Sequence, residues 1–104
     1  MPQTGQFTLL TGDGANVEGV PKPCKHYSNM LFQVEITVAG TVELFGRVGT
    51  GAGWARLSPP LVGAGTNVVT INNSFGYTQV KATATLGAGE SAVVYFNGRM
   101  RPFA

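Results

Sequence analysis

The chain has 104 residues, enough for one domain with a single core and no need of metal or disulfide staples. Charged residues are 12% of it, about half of the roughly 25% usual in globular proteins, and a net charge of +2 is too small to argue for nucleic acid. Fifteen scattered glycines and six prolines show no collagen period, and the single cysteine, Cys24, leaves no internal disulfide to form.

Taken in order, the N-terminal MPQTGQFTLL has neither the basic region nor the long apolar region of a signal peptide. No later apolar run approaches the ~20 residues of a membrane span, so synthesis in a cytoplasm is expected. Phe7 to Leu10 predicts a short first strand, closed by the turn-rich Thr11 to Asn16, and Val17 to Val20 predicts another. Pro21 and Pro23 suit an edge or an extended crossing.

The strongest stretch runs from Asn29 to Leu57. Phe32, Val34, Ile36 and Val38 share one parity, with Gln33, Glu35 and Thr37 between them, the period of a strand with one buried face. After Ala39-Gly40-Thr41 a second alternation places Val42, Leu44, Gly46 and Val48 on one side and Glu43, Phe45 and Arg47 on the other. The short Gly-containing break predicts an antiparallel hairpin. Gly49 to Gly53 must be a turn, and it delivers Trp54 into a third short strand, which predicts a three-stranded meander.

Ser58-Pro59-Pro60 predicts an extended connection, Asn67 to Ile71 a β-branched strand, and Asn72 to Gly76 a turn. From Tyr77 to Leu86, Thr78, Val80, Ala82, Ala84 and Leu86 alternate with Gln79, Lys81, Thr83 and Thr85. Gly87 to Glu90 then predicts a hairpin turn, with Ser91 to Phe96 as the last strand before Asn97-Gly98. Every helical window is cut by Gly or Pro. The fold class that follows is all-β, a single antiparallel β-sandwich or jelly roll of about seven or eight short strands without substantial helix. Phe32, Val34, Ile36, Leu44, Val80, Ala82 and Leu86 are expected to face inward, and Gln33, Glu35, Lys81 and Thr83 outward. The domain spans residues 1–104, with ends at about 1–6 and 98–104 that are flexible or docked on a partner.

The order FQVEIT, GTVELFG, a Gly-rich turn with Trp-x-x-Leu, YTQVKATAT and VVYFNG resembles small bacteriophage virion proteins of the jelly-roll β-sandwich type, over roughly Phe32 to Gly98. It departs from their pattern at Phe45-Gly46-Arg47, where Glu-Gly-Ser is usual, and at Thr50-Gly51, where Asp-Gly is usual. The matching motifs are turn and core residues, so they speak to fold and setting and not to chemistry. The resemblance implies a head decoration or cement protein that sits on the capsid exterior, bridges neighbouring major capsid subunits and helps the shell resist packaged DNA. A tail, fibre or spike component is the alternative within virions. A carbohydrate-binding module is the alternative outside that class, with Trp54 as its best residue. The expected partners are the major capsid protein and further copies of the chain, a trimer in preference to a dimer, with neither nucleic acid nor membrane.

The inventory for catalysis is thin: one His, one Asp, four Glu and one Cys. In an extended segment Cys24 and His26 would point the same way, and Lys25 could lower the thiol pKa, but no third group orients the pair. Two candidate ligands do not make a closed zinc site. Glu35 and Glu43 could be read as a glycosidase-like pair, though cross-strand pairing with Arg47 or Lys81 explains them more simply. No catalytic residue, cofactor or metal is expected. Phe32, Phe45, Trp54, Tyr77, Tyr95 and Phe96 read mostly as core. The segment GRMRPFA combines Arg99 and Arg101 with Met100, Pro102 and Phe103, apolar groups that a merely solubilising tail would not expose, so these five are the expected protein-interaction residues.

Overall fold

Period-two alternation becomes ten β-strands in the computed structural model, which describes residues 4–73 and 76–100. They are β1 (Thr4–Asp13), β2 (Val17–Glu18), β3 (Lys22–Pro23), β4 (Tyr27–Thr37), β5 (Thr41–Arg47), β6 (Ala55–Arg56), β7 (Leu61–Val62), β8 (Gly65–Asn72), β9 (Gln79–Thr85) and β10 (Ser91–Met100). One sheet has the order β1-β10-β4-β8, and the other β2-β9-β5-β6, with β3 also on β9 and β7 also on β5. All pairings are antiparallel. The pieces β2 and β3 share one position beside β9, and β6 and β7 share one beside β5. Ten elements therefore occupy the eight strand positions of a jelly roll.

The seven residues expected inward are buried. Phe96 is the hub of the first sheet's inner face. Its ring stacks on Phe7 at 4.5 Å, meets Phe32 edge-on at 5.3 Å and lies 5.4 Å from Tyr27. Val42, Leu44, Val80, Ala82 and Ala84 close over it from the second sheet. At β1 the register slips between Thr8 and Leu10, so Leu9 is an extra residue opposite Tyr95 and Val94. This bulge lets Leu9 and Leu10 both enter the core.

Two expected hairpins are instead arches. β4 lies in the first sheet and β5 in the second, and the same holds for β10 and β9. The meander from Asn29 therefore does not form as predicted: β5 pairs with β6, but β4 pairs with β10 and β8. A strand pair with one buried face each can lie side by side in a sheet or face to face across a core. Alternation is identical in the two cases, because parity says which side is buried and not where the partner strand sits.

The first arch turns tightly at Thr37-Val38-Ala39. The Ala39 amide donates to the Thr37 carbonyl at 2.9 Å across Val38, whose φ is +71°. That is a three-residue turn in the left-handed half of backbone space, a true outlier for a β-branched residue. Val38 is also 68% exposed, so its side chain gains little from packing.

The strands reach further into the termini than the pattern marks, since β1 begins at Thr4 and β10 continues to Met100. Gly98, expected outside the strands, is buried between β1 and β4. A Cβ on Gly98 would stand 2.5 Å from the Tyr27 ring, and one on Gly5 beside it would also strike Tyr27. Both glycines leave the space in which that ring reaches Phe96. Residues 1–3 and 101–104, where most of the other terminal expectations fall, lie outside the described residues.

Replacing Val38 with glycine is expected to raise stability by about 1 kcal/mol. Relief of a left-handed β-branched residue outweighs the extra chain entropy of glycine. Chemical denaturation of Val38→Gly beside the parent protein measures it, and a loss of stability would contradict the strained-turn reading.

Candidate interaction surfaces

The sandwich has two outer faces of opposite character. On the second sheet, Glu18, Glu43, Arg47, Arg56 and Lys81 project outward with Phe45. Trp54 folds over this face, with the Arg47 guanidinium 4.2 Å and the Lys81 ammonium 4.7 Å from its ring centre. Lys81 also stands 5.8 Å from the Phe45 ring and donates to Glu18 at 2.8 Å. That hydrogen bond, together with the lysine charge, holds the Glu18 carboxyl below its ordinary pKa. Arg47 donates to Gln79 at 2.7 Å, and Arg56 pairs with Glu43 at 2.9 Å. Cation–π contacts of this kind fix the indole, and with it the end of the glycine-rich turn, against the sheet. Trp54 and Phe45, read from the sequence as core, are thus only half-buried and belong to the outer face.

The first sheet's outer face is built from rows across four strands. One row runs Gln6, Asn97, Leu31, Thr70; the next Thr8, Tyr95, Gln33, Val68; the next Thr11, Val93, Glu35, Thr66. The charged side chains of these four strands are Asp13, Glu35 and Arg99. Asp13 and Arg99 lie at opposite ends of the face, and Gln33 donates to Glu35 at 3.1 Å. Tyr95, Leu31 and Val68 are exposed, Tyr95 by 43%. A shallow depression lined by Gln6, Thr8, Leu31, Gln33, Tyr95 and Asn97 lies on this face. Tyr95, another residue read as core, is outward because β10 alternates with Val94 and Phe96 inward.

Of the expected interaction residues, Arg99 is exposed at one end of this face, where its carbonyl accepts a hydrogen bond from the Ser28 hydroxyl at 3.3 Å. Met100 closes β10 opposite Tyr27. Arg101, Pro102 and Phe103 lie outside the described residues.

The chemical candidates are taken apart by the fold. Glu35 and Glu43 stand on the outer faces of different sheets, so they cannot act on one bond. Lys81 faces a glutamate across strands as expected, but it is Glu18, and Glu43 pairs with Arg56 in place of Arg47 or Lys81. Cys24 and His26 do not share an extended segment. The Tyr27 amide donates to the Cys24 carbonyl at 3.1 Å and closes a turn, which leaves His26 exposed and Cys24 buried. The Cys24 thiol donates to the Tyr77 carbonyl at 3.4 Å. Burial pushes its pKa up to about 11, the reverse of the Lys25 effect considered from sequence.

One residue passed over in the sequence organises this end of the sandwich. Asn73 is buried at 2% exposure. Its amide nitrogen lies 3.0 Å from the carbonyls of Tyr27 and Tyr77 and 3.4 Å from that of Cys24, and its oxygen accepts from the Tyr77 amide at 2.8 Å. Its signal in the sequence is weak: one asparagine in a run of turn residues.

No family model matches the chain, and no curated protein matches it in sequence. Two solved structures share its fold. The SPBc2 prophage-derived protein YomS is similar with a TM-score of 0.76 at 10% identity, covering 95% of each chain. A protein from the structure of Bacillus endospore appendages, described as a novel family of disulfide-linked pili, is similar with a TM-score of 0.54 at 13% identity, covering 99% of this chain and 88% of that one. At such identities the likeness is one of fold.

Two outcomes follow. Asn73→Ala removes the bonds to the Tyr27 carbonyl and the Tyr77 amide, while the Cys24 and Tyr77 carbonyls keep the Tyr27 amide and the Cys24 thiol. It should cost about 2 kcal/mol or more in chemical denaturation, since each orphaned group costs about 1–3 kcal/mol. A loss below about 1 kcal/mol would remove Asn73 from this role. For Cys24, the folded pKa lies above that of the unfolded thiol, so its contribution is complete below the unfolded value and fades as pH rises toward about 11. Wild-type stability should therefore fall more steeply than that of Cys24→Ala above about pH 9; parallel curves would contradict the burial argument.

Proposed function

We propose that the protein is a structural component of a bacteriophage particle, a decoration protein that binds the outer surface of the head and bridges neighbouring capsid subunits. The observation that carries this reading is the first sheet's outer face. It is broad, poor in charge, and set with Tyr95, Leu31 and Val68 among Gln, Asn and Thr. Interface centres are depleted in charge and enriched in tyrosine. The fold shared with a prophage-derived protein supports the phage setting. Such a protein performs no chemistry. Several copies, each with modest affinity, hold a shell together because second and later contacts become intramolecular. Arg99 stands at the end of the face, and the two-sided chemistry of the segment that follows, with Arg101, Pro102 and Phe103 outside the described residues, suits the same kind of contact.

Binding to expanded heads assembled without the protein tests this. Tyr95→Asp should weaken retention roughly tenfold or more, as expected for a central aromatic contact, and leave the melting temperature unchanged. Thr83→Asp, on the other sheet, should bind as the parent does, and deletion of Arg101 to Ala104 should weaken binding without loss of stability. Equal binding by Tyr95→Asp and Thr83→Asp would overturn the assignment of the face. Failure of the parent protein to bind heads at all would overturn the decoration reading.

A further inference from the structure

The four sheet edges are not equally guarded. In the second sheet the outermost pieces β2, β3, β6 and β7 are two residues each, too short to template another strand. In the first sheet, β1 is interrupted by the bulge at Leu9, and Gly19 is packed so closely there that a Cβ on it would stand 3.1 Å from the Leu9 carbonyl oxygen. β8 has no such protection. It is eight residues long, its register on β4 is unbroken from Gly65 to Asn72, and no described strand pairs with its other side. It lacks lysine, proline and every charged residue, the devices that ordinarily blunt an edge. The whole run from Leu57 to Val80 is without charge. Gly65, Thr66, Asn67 and Val68 are exposed in succession, so this half of the strand is uncovered on both faces.

We propose that the outer edge of β8 pairs antiparallel with β8 of a second copy, joining the four-stranded sheets of two molecules into one. The occupant follows from the strand's own character. An uncharged edge meets its own copy without like-charge repulsion, whereas a charged partner strand finds no complementary group along it. Antiparallel mates related by a two-fold axis place residues of equal parity side by side. Val68 thus lies beside Val68, Thr66 or Thr70 of the mate on the outer face, and Asn67 beside Asn67 or Val69 on the inner face. The contact is two-fold and gives a dimer, where a trimer is the expectation from sequence. It does not depend on the phage setting or on the Tyr95 face, so either can fail alone. An edge-to-edge contact buries less than the ~1,200 Å² of a standard interface, so the dimer is a reversible one.

Sedimentation of the full chain from micromolar to millimolar concentration tests the pairing. The parent protein is expected to show a concentration-dependent monomer–dimer equilibrium. Val68→Lys and Val68→Glu each place like charges across the axis and should weaken it roughly tenfold or more, while an equimolar mixture of the two restores it. Val68 is 57% exposed, so both variants should keep the parent's fold, read by circular dichroism. A parent that stays monomeric throughout overturns the proposal. So do variants that associate as the parent does, or a mixture that fails to recover.

Discussion

The buried amide of Asn73 is the constraint on which the closed form of the sandwich depends. β8 ends in the first sheet at Asn72 and β9 begins in the second at Gln79, while the Cys24–Tyr27 turn joins β3 in the second sheet to β4 in the first. The chain thus crosses between sheets twice at the same end, and each crossing brings backbone carbonyls to the core's edge, partly or wholly buried. A single side chain with both donor and acceptor bonds to Cys24, Tyr27 and Tyr77 together. Aspartate could not donate there, and leucine would take the asparagine's bonds from the Tyr27 carbonyl and the Tyr77 amide. The Cys24 thiol shares the Tyr77 carbonyl, so the one cysteine is drawn into the same knot and loses its reactivity through burial.

With both sheets' inner faces committed to one core, the outer faces are where the chain distributes its few charges. Glu18, Glu43, Arg47, Arg56 and Lys81 gather on the second sheet and largely satisfy one another. Exposed ion pairs of this type contribute little stability. With these charges on the second sheet, the first sheet's face is nearly neutral. The low charge of the whole composition is therefore an uneven one, with a charged side and a nearly neutral side.

Side-chain parity was legible at almost every core position, from Phe32 and Val34 to Ala82 and Leu86, because burial of one face imposes a period that no other structure imitates. Partner choice was not legible. Ala39-Gly40 and Gly87-Ala88 look like hairpin turns, and the physics that makes them arches lies in long-range packing that no local window contains. The outward position of Trp54 was hidden for a related reason. A tryptophan is core by default, and only the register that brings Arg47 and Lys81 beneath it makes the outer face a better place. Asn73 was invisible because its partners are 46 and 49 residues away as well as four.

The same separation of what is constrained from what is free explains how this fold persists at 10% identity to the prophage-derived protein and 13% to the pilus protein. A jelly-roll core asks for apolar side chains of adequate volume at alternate positions, and many combinations meet that demand. Crossings between sheets ask for residues that can turn and for polar groups that can satisfy a dry backbone. Neither demand fixes an outward-facing residue. The outer rows from Gln6 to Thr70 and the exposed edge of β8 are therefore the parts of the molecule that can change without cost to the fold. In this chain those parts carry Tyr95, Leu31 and Val68, and a strand without charge.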